Sequence, residues 1–124
     1  NKVLYEYSYI PKKKYTIKDA PAHGACSLID LSFLRKIGGY NEKFDRQDGY
    51  YLWLSILLKK KSIAHTNQPL FFYRKHKNNL SKNKKKILKT RIKILNFFLG
   101  KYLMNKKEII SLKEATEAQI KKTL

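Results

Sequence analysis

Cysteine, acidic residues and long apolar runs are all scarce in this 124-residue sequence. The single cysteine, Cys26, excludes an internal disulfide, and its predicted role is core packing. The longest apolar stretch, residues 50–58, is interrupted by Ser55 and is far shorter than the ~20 residues that span a bilayer. The first residues lack the basic region, apolar block and cleavage site of a signal peptide. A cytoplasmic protein is therefore expected.

Acidic residues are outnumbered by 28 Lys and Arg to 9 Asp and Glu, which gives a net charge of +19. No acid lies between Gly49 and Lys107, a stretch that holds sixteen Lys or Arg. Its field should attract phosphates, anionic lipid headgroups or nucleic acid. Because 43% of the residues are hydrophobic, the chain is still expected to bury a core rather than to be disordered.

Several catalytic signatures are missing as well. The sequence has no zinc-ligand spacing, no phosphate-binding Walker loop, no Gly-x-Ser-x-Gly elbow and no internal repeat. His65 has no acidic or cysteine partner at metal-ligand spacing, so a structural role is predicted for it. These observations exclude the enzyme classes that depend on such motifs.

Short apolar or alternating runs predict strands at four places, which are residues 3–10, 25–29, 62–64 and 70–74. A helix capped by Asp30 or Ser32 is predicted to end at Gly38 and Gly39, with a positive φ at Gly39.

Three longer helices are predicted further along the chain. The segment from Tyr50 to Leu58 is apolar on nearly all faces and should be deeply buried, with Gln47 and Asp48 at its N-terminus, where the helix dipole favours a carboxylate. Residues 84–104 have the period of a long basic amphipathic helix, and a second, weaker helix follows over residues 108–124.

Three polar segments stand in a particular order between these elements. They are Ile37-Gly38-Gly39-Tyr40-Asn41-Glu42, then Gln47-Asp48, then Tyr73-Arg74-Lys75-His76 with Ser81 after it. Together they resemble the second half of a family 2 glycosyltransferase of the GT-A fold, which carries an "iGGydE" segment, an "ED" or "QD" pair that opens a buried helix, and a "yRxHxxS" strand end. The spacing from histidine to serine is longer here. The resemblance covers residues 1–81.

The resemblance implies an α/β architecture. Residues 1–81 would form part of a GT-A-like (nucleotide-diphospho-sugar transferase) fold, and residues 82–124 a basic helical extension at the C-terminus. The family's nucleotide-binding half carries an Asp-x-Asp motif, which is absent here, and too little sequence precedes Gly24 to hold that half. The chain is therefore expected to be the acceptor-side part of a longer enzyme, inactive alone and, with an uncovered apolar face, inclined to self-association.

The implied activity is that of a bacterial inverting enzyme of polysaccharide biosynthesis, which transfers a sugar from a nucleotide-sugar donor to a glycan or lipid-linked acceptor. Asp48 matches the family's general base. His76 matches a position near the metal and diphosphate, where imidazole serves as a metal ligand or a phosphate donor. The divalent metal, Mg²⁺ or Mn²⁺, would be held mainly by the missing half.

The remaining predicted site residues bind substrate. Arg74 or Lys75 would neutralise the leaving diphosphate, whereas His23, Gly24, Glu42 and Asp45 would lie near the acceptor. The full predicted substrate-binding set is His23, Gly24, Glu42, Asp45, Gln47, Arg74 and Lys75.

Two alternatives without catalysis remain open. The charge fits a basic nucleic-acid-binding module, although no reading motif is present and no specific nucleic acid is expected. The helix over residues 84–104 also fits a peripheral membrane element that inserts Leu95, Phe98 and Leu99 into an anionic surface, or else packs on the catalytic core. A location on the inner face of the cytoplasmic membrane agrees with a lipid-linked acceptor.

Overall fold

A computed structural model describes residues 14–20, 27–64, 68, 70, 72, 74–79 and 82–123. In these parts of the chain every regular element is a helix. The α-helices are α1 (Leu31–Lys36), α2 (Asp48–Leu58), α3 (Lys84–Lys101) and α4 (Lys106–Lys122), and single 3₁₀ turns cover Ile17–Asp19 and Leu103–Asn105.

The expected α/β fold is therefore wrong for the described residues, which contain no strand and no sheet. Residues 27–29 and 62–64 are irregular, and Leu28, predicted to be buried in a strand, is fully exposed. A short apolar run becomes a strand only where a neighbouring strand accepts and donates its backbone hydrogen bonds. The predicted strand at residues 3–10 lies outside the described residues, as do Cys26 and His65.

Helix α1 begins and ends as its sequence predicts. The Asp30 carboxylate accepts hydrogen bonds from the Phe33 backbone N–H at 2.7 Å and from the Ser32 hydroxyl at 2.6 Å. The Ser32 hydroxyl and the Phe33 N–H hold the pKa of Asp30 below its usual value. At the other end Gly38 and Gly39 have φ values of 85° and 72°, a conformation that side-chain-bearing residues adopt only with strain.

Helix α2 forms the centre of the core, as predicted from its apolar faces. Leu52 and Leu54 are almost completely buried, and Tyr51 contacts aromatic side chains on two other elements. The ring of Phe98 on α3 is stacked on Tyr51 at 5.3 Å between centroids, and Phe44, in the loop before α2, lies 5.3 Å from Tyr51 on another side.

Helices α3 and α4 pack against each other as an antiparallel hairpin, because only Tyr102 and one 3₁₀ turn connect them. Ile94, Leu95 and Phe98 of α3 and Ile109 of α4 are at most 1% exposed and belong to the same core as α2. The turn Ile17–Asp19 contacts both α2 and α4, and Ile17 is buried there. Residues 82–123 therefore share their core with the described residues that precede them. The predicted division at residue 81 itself stays a prediction.

The apolar face of α3 points inward rather than toward a membrane. Leu95, Phe98 and Leu99 were predicted to insert into an anionic surface. Leu95 and Phe98 are 0% and 1% exposed, and Leu99 is partly buried against the same core. No helix among the described residues has the length and apolarity to cross a bilayer. Three other apolar side chains are exposed: Leu28, Leu70 and Phe72. The self-association that was expected from an uncovered apolar face stays a prediction.

Candidate active site

Asp48 is the first residue of α2, and its side chain is exposed at the surface of an otherwise buried helix. The N-terminus of a helix carries partial positive charge, which favours a carboxylate at this position. Directly behind it Gly49 and Tyr50 are buried, so the backbone that carries Asp48 is anchored in the core. A carboxylate with this exposure and a fixed backbone is suited to accept a proton from a bound molecule.

Gln47 precedes Asp48 and connects α2 to α3. Its side chain is 4% exposed, and its Oε1 accepts a hydrogen bond of 2.7 Å from Nε of Arg91. The Arg91 guanidinium also lies over the Tyr50 ring, 4.9 Å from the centroid. Gln47 was predicted to bind substrate; the structure engages its amide inside the protein.

Burial shifts the pKa values of two residues in this cluster, Tyr50 and Arg91. Burial raises the pKa of Tyr50, while the positive charge of Arg91 acts in the opposite direction. Burial also lowers the pKa of Arg91, although a guanidinium keeps its proton at any physiological pH. Arg91 is thus a permanent, partly buried cation whose hydrogen bond to Gln47 and contact with Tyr50 hold the start of α2.

Arg46 lies in the turn that precedes α2, and its backbone is in the left-handed conformation with φ 66°. Such a conformation in a residue other than glycine costs of order 1–3 kcal/mol and persists only where the surroundings hold it. Here the Gln47 Nε2 donates to the carbonyl oxygen of Arg46 at 2.7 Å, and Arg91 in turn holds Gln47. A strained turn therefore stands two residues before Asp48, and α3 stabilises it.

Asp45 and Glu42, both predicted to bind acceptor, are exposed in the loop that leads to this turn. The Asp45 carboxylate lies 3.2 Å from Nζ of Lys86 and 3.7 Å from Nε of Arg46. Glu42 lines an open depression of about 380 Å³ between the Gly38–Gly39 turn and Tyr51. Asn41, Glu42 and Lys43, which line the depression, belong to the loop that leads to Asp48.

Arg74, Lys75 and His76 are all exposed. They lie in a loop that is stabilised by hydrogen bonds to the side chain of Asn79. Asn79 accepts a hydrogen bond from the His76 backbone N–H at 2.7 Å and donates its Nδ2 to the Arg74 carbonyl oxygen at 3.1 Å. The Asn79 side chain therefore fixes the backbone of Arg74 and His76, two of the residues predicted to lie near the leaving diphosphate.

The His76 imidazole makes one hydrogen bond within its own loop, in which its Nδ1 accepts from the Asn78 N–H at 3.2 Å. An imidazole serves chemically as a phosphate donor or as a metal ligand, and both predicted roles of His76 stay predictions. Among the described residues no three His, Cys, Asp or Glu side chains lie together as a metal site.

Two residues that matter for this region were not predicted. Arg91 is the single arginine of the otherwise lysine-rich α3. An arginine side chain ends in a planar guanidinium that is always charged, unlike the flexible ammonium of lysine. Phe44 lies in a segment that is polar in sequence but is 7% exposed and packs between Tyr51 and Phe97. His23 and Gly24, the other predicted acceptor residues, lie outside the described residues, as does Ser81.

We expect Gln47→Leu to lower the free energy of unfolding by about 1–3 kcal/mol, because the Nε of Arg91 would lose its acceptor in a partly buried place. Gln47→Glu keeps an acceptor for Arg91 and adds opposite charge, but it loses the amide donor to the Arg46 carbonyl oxygen, as Gln47→Leu also does, so it should be destabilised by less than Gln47→Leu. Urea unfolding of both variants measures the difference. Equal stability of the two variants would show that the bond to Arg91 contributes nothing.

Comparisons with protein-family models, with curated proteins and with solved structures found no match to this chain. The assignment of a function therefore depends on the residues and their geometry.

Proposed function

We propose that this chain supplies the acceptor side and the general base of an inverting glycosyltransferase, which transfers a sugar from a nucleotide-sugar donor to a glycan or lipid-linked acceptor. The observation that supports it best is the position of Asp48. In the segment that resembles family 2 enzymes, the acidic residue of the "QD" pair is an exposed carboxylate at the first position of a buried helix.

In the proposed reaction Asp48 accepts the proton of the acceptor hydroxyl as that oxygen attacks the anomeric carbon of the donor. The bond from this carbon to the diphosphate oxygen breaks on the opposite face, so the configuration inverts. The nucleoside diphosphate leaves with the bonding electron pair. The open depression beside Glu42 would hold part of the acceptor near the base.

The departing diphosphate would meet the positive loop that contains Arg74, Lys75 and His76. All three are exposed, so their side chains are accessible to phosphate oxygens. The resemblance also implies Mg²⁺ or Mn²⁺, which would supply further charge for the leaving group. The proposed location is peripheral, on the cytoplasmic face of the membrane.

The direct test is an assay of sugar transfer and donor hydrolysis by the product of the whole open reading frame that contains this sequence, beside the 124-residue chain. A panel of nucleotide sugars is assayed with and without Mn²⁺. We expect metal-dependent turnover of at least one donor by the whole product and none by the chain alone. Absence of turnover with every donor in both proteins would count against the proposal.

A further inference from the structure

The connection between α3 and α4 exposes two large apolar side chains side by side. Leu103 is 76% exposed and Met104 is 98% exposed, both on the turn Leu103–Asn105. Elsewhere in this helical hairpin Leu95, Phe98 and Ile109 are at most 1% exposed, and Phe97 is 41% exposed. We call residues 101–107 the hairpin tip. Its apolar pair is available to a partner and contributes little to the core.

Lysines flank this apolar pair on both sides. Lys101 precedes it, Lys106 and Lys107 follow it, and all three are exposed. The hairpin tip contains no acidic residue, and Glu108 is the first acid that follows it. A surface that combines protruding apolar side chains with surrounding cations is complementary to an interface that is apolar inside and anionic at its rim.

We propose that the hairpin tip binds the surface of an anionic lipid bilayer. Leu103 and Met104 enter the boundary between headgroups and acyl chains, while Lys101, Lys106 and Lys107 lie among the lipid phosphates. Nucleic acid is less complementary, because its phosphate backbone attracts the lysines but offers nothing to the apolar pair. The inference differs from insertion through Leu95 and Phe98, which are buried, and it does not depend on the proposed glycosyltransferase activity.

Binding through so small a surface should be reversible and sensitive to salt. Each lysine near an anionic leaflet contributes about a fivefold increase in affinity, and this attraction decays within a Debye length. Removal of the two apolar side chains should weaken binding by about tenfold or more, because each loses the burial of several methylene groups.

The experiment is sedimentation of the 124-residue chain with vesicles of phosphatidylcholine alone and of phosphatidylcholine mixed with phosphatidylglycerol. The apolar variant is Leu103→Ser with Met104→Ser, and its matched control is Leu28→Ser with Leu70→Ser, which changes two exposed leucines elsewhere. The charge variant is Lys101→Gln, Lys106→Gln and Lys107→Gln. Its control removes equal charge from other exposed positions of α3, at Lys84, Lys85 and Lys89.

We expect the original chain to bind the vesicles that contain phosphatidylglycerol. Both hairpin-tip variants should bind these vesicles at least tenfold more weakly. Each control variant should bind them more tightly than the hairpin-tip variant to which it is matched. All substituted side chains are exposed, so the urea midpoint should not change and loss of folding will not imitate loss of binding. The proposal is overturned if the original chain ignores these vesicles, or if the apolar variant binds like the original. Equal losses in the two charge variants would instead indicate an unspecific polyanion surface and also overturn it.

Discussion

On the proposed function, the Asp48→Asn variant of the whole open-reading-frame product is expected to transfer sugar about a hundredfold to ten-thousandfold more slowly, with the KM for the donor changed by no more than about threefold. The amide has nearly the shape of the carboxylate but cannot accept the acceptor proton. Asp48 is exposed and its helix is anchored by the buried Gly49 and Tyr50, so the fold should survive. Steady-state kinetics with the best donor of the panel measures the effect.

The matched control is Asp30→Asn, which makes the same chemical change at the start of another helix. Asn is as good an N-cap as Asp, so the bond to the Phe33 N–H should be kept and kcat should stay near that of the original. Near-normal transfer by Asp48→Asn would remove Asp48 as the base. A comparable loss in both variants would indicate a general effect on structure rather than on proton transfer.

The Phe98→Ala variant is expected to lose about 3–5 kcal/mol of unfolding free energy, the usual cost of removing a buried aromatic ring. Phe98 is 1% exposed, and its ring lies 5.3 Å from that of Tyr51 on α2 and 5.7 Å from that of Tyr102. The substitution leaves a cavity between the helix that begins with Asp48 and the hairpin of α3 and α4. Urea unfolding followed by circular dichroism measures the loss.

Phe97→Ala provides the control, because the neighbouring ring is 41% exposed and should cost less than half as much. A single transition for both variants is expected, since residues on both sides of position 81 share one core. A loss below about 1 kcal/mol in Phe98→Ala, or two separate transitions in the original chain, would show that residues 82–124 form an independent extension.

The helices of this protein are predictable from local signals. The Asp30 cap, the Gly38–Gly39 stop and the apolar faces of α2 each depend on residues close in sequence, and the structure confirms them. The strands depended on partners far along the chain, and no pattern within residues 27–29 or 62–64 reports whether such a partner is present. The α/β prediction was wrong for that reason.

The site was predictable only in part, because sequence identifies chemistry better than contacts. The order of the polar segments indicated Asp48 as the candidate general base, and in the structure its side chain is exposed. The hydrogen bond from Arg91 to Gln47 joins residues 44 positions apart, and no local pattern predicts it. Phe44 was missed because one apolar residue among polar neighbours has no periodicity.

The length of α3 sets a distance between the candidate base and the candidate lipid contact. Arg91, which holds the start of α2, and Lys101, which begins the hairpin tip, are ten residues apart on one helix, or about 15 Å along its axis. When the tip lies at the headgroups, as proposed, the length of α3 limits the height of the proposed base Asp48 above the bilayer. An acceptor sugar carried on a lipid would then have to project by a comparable height.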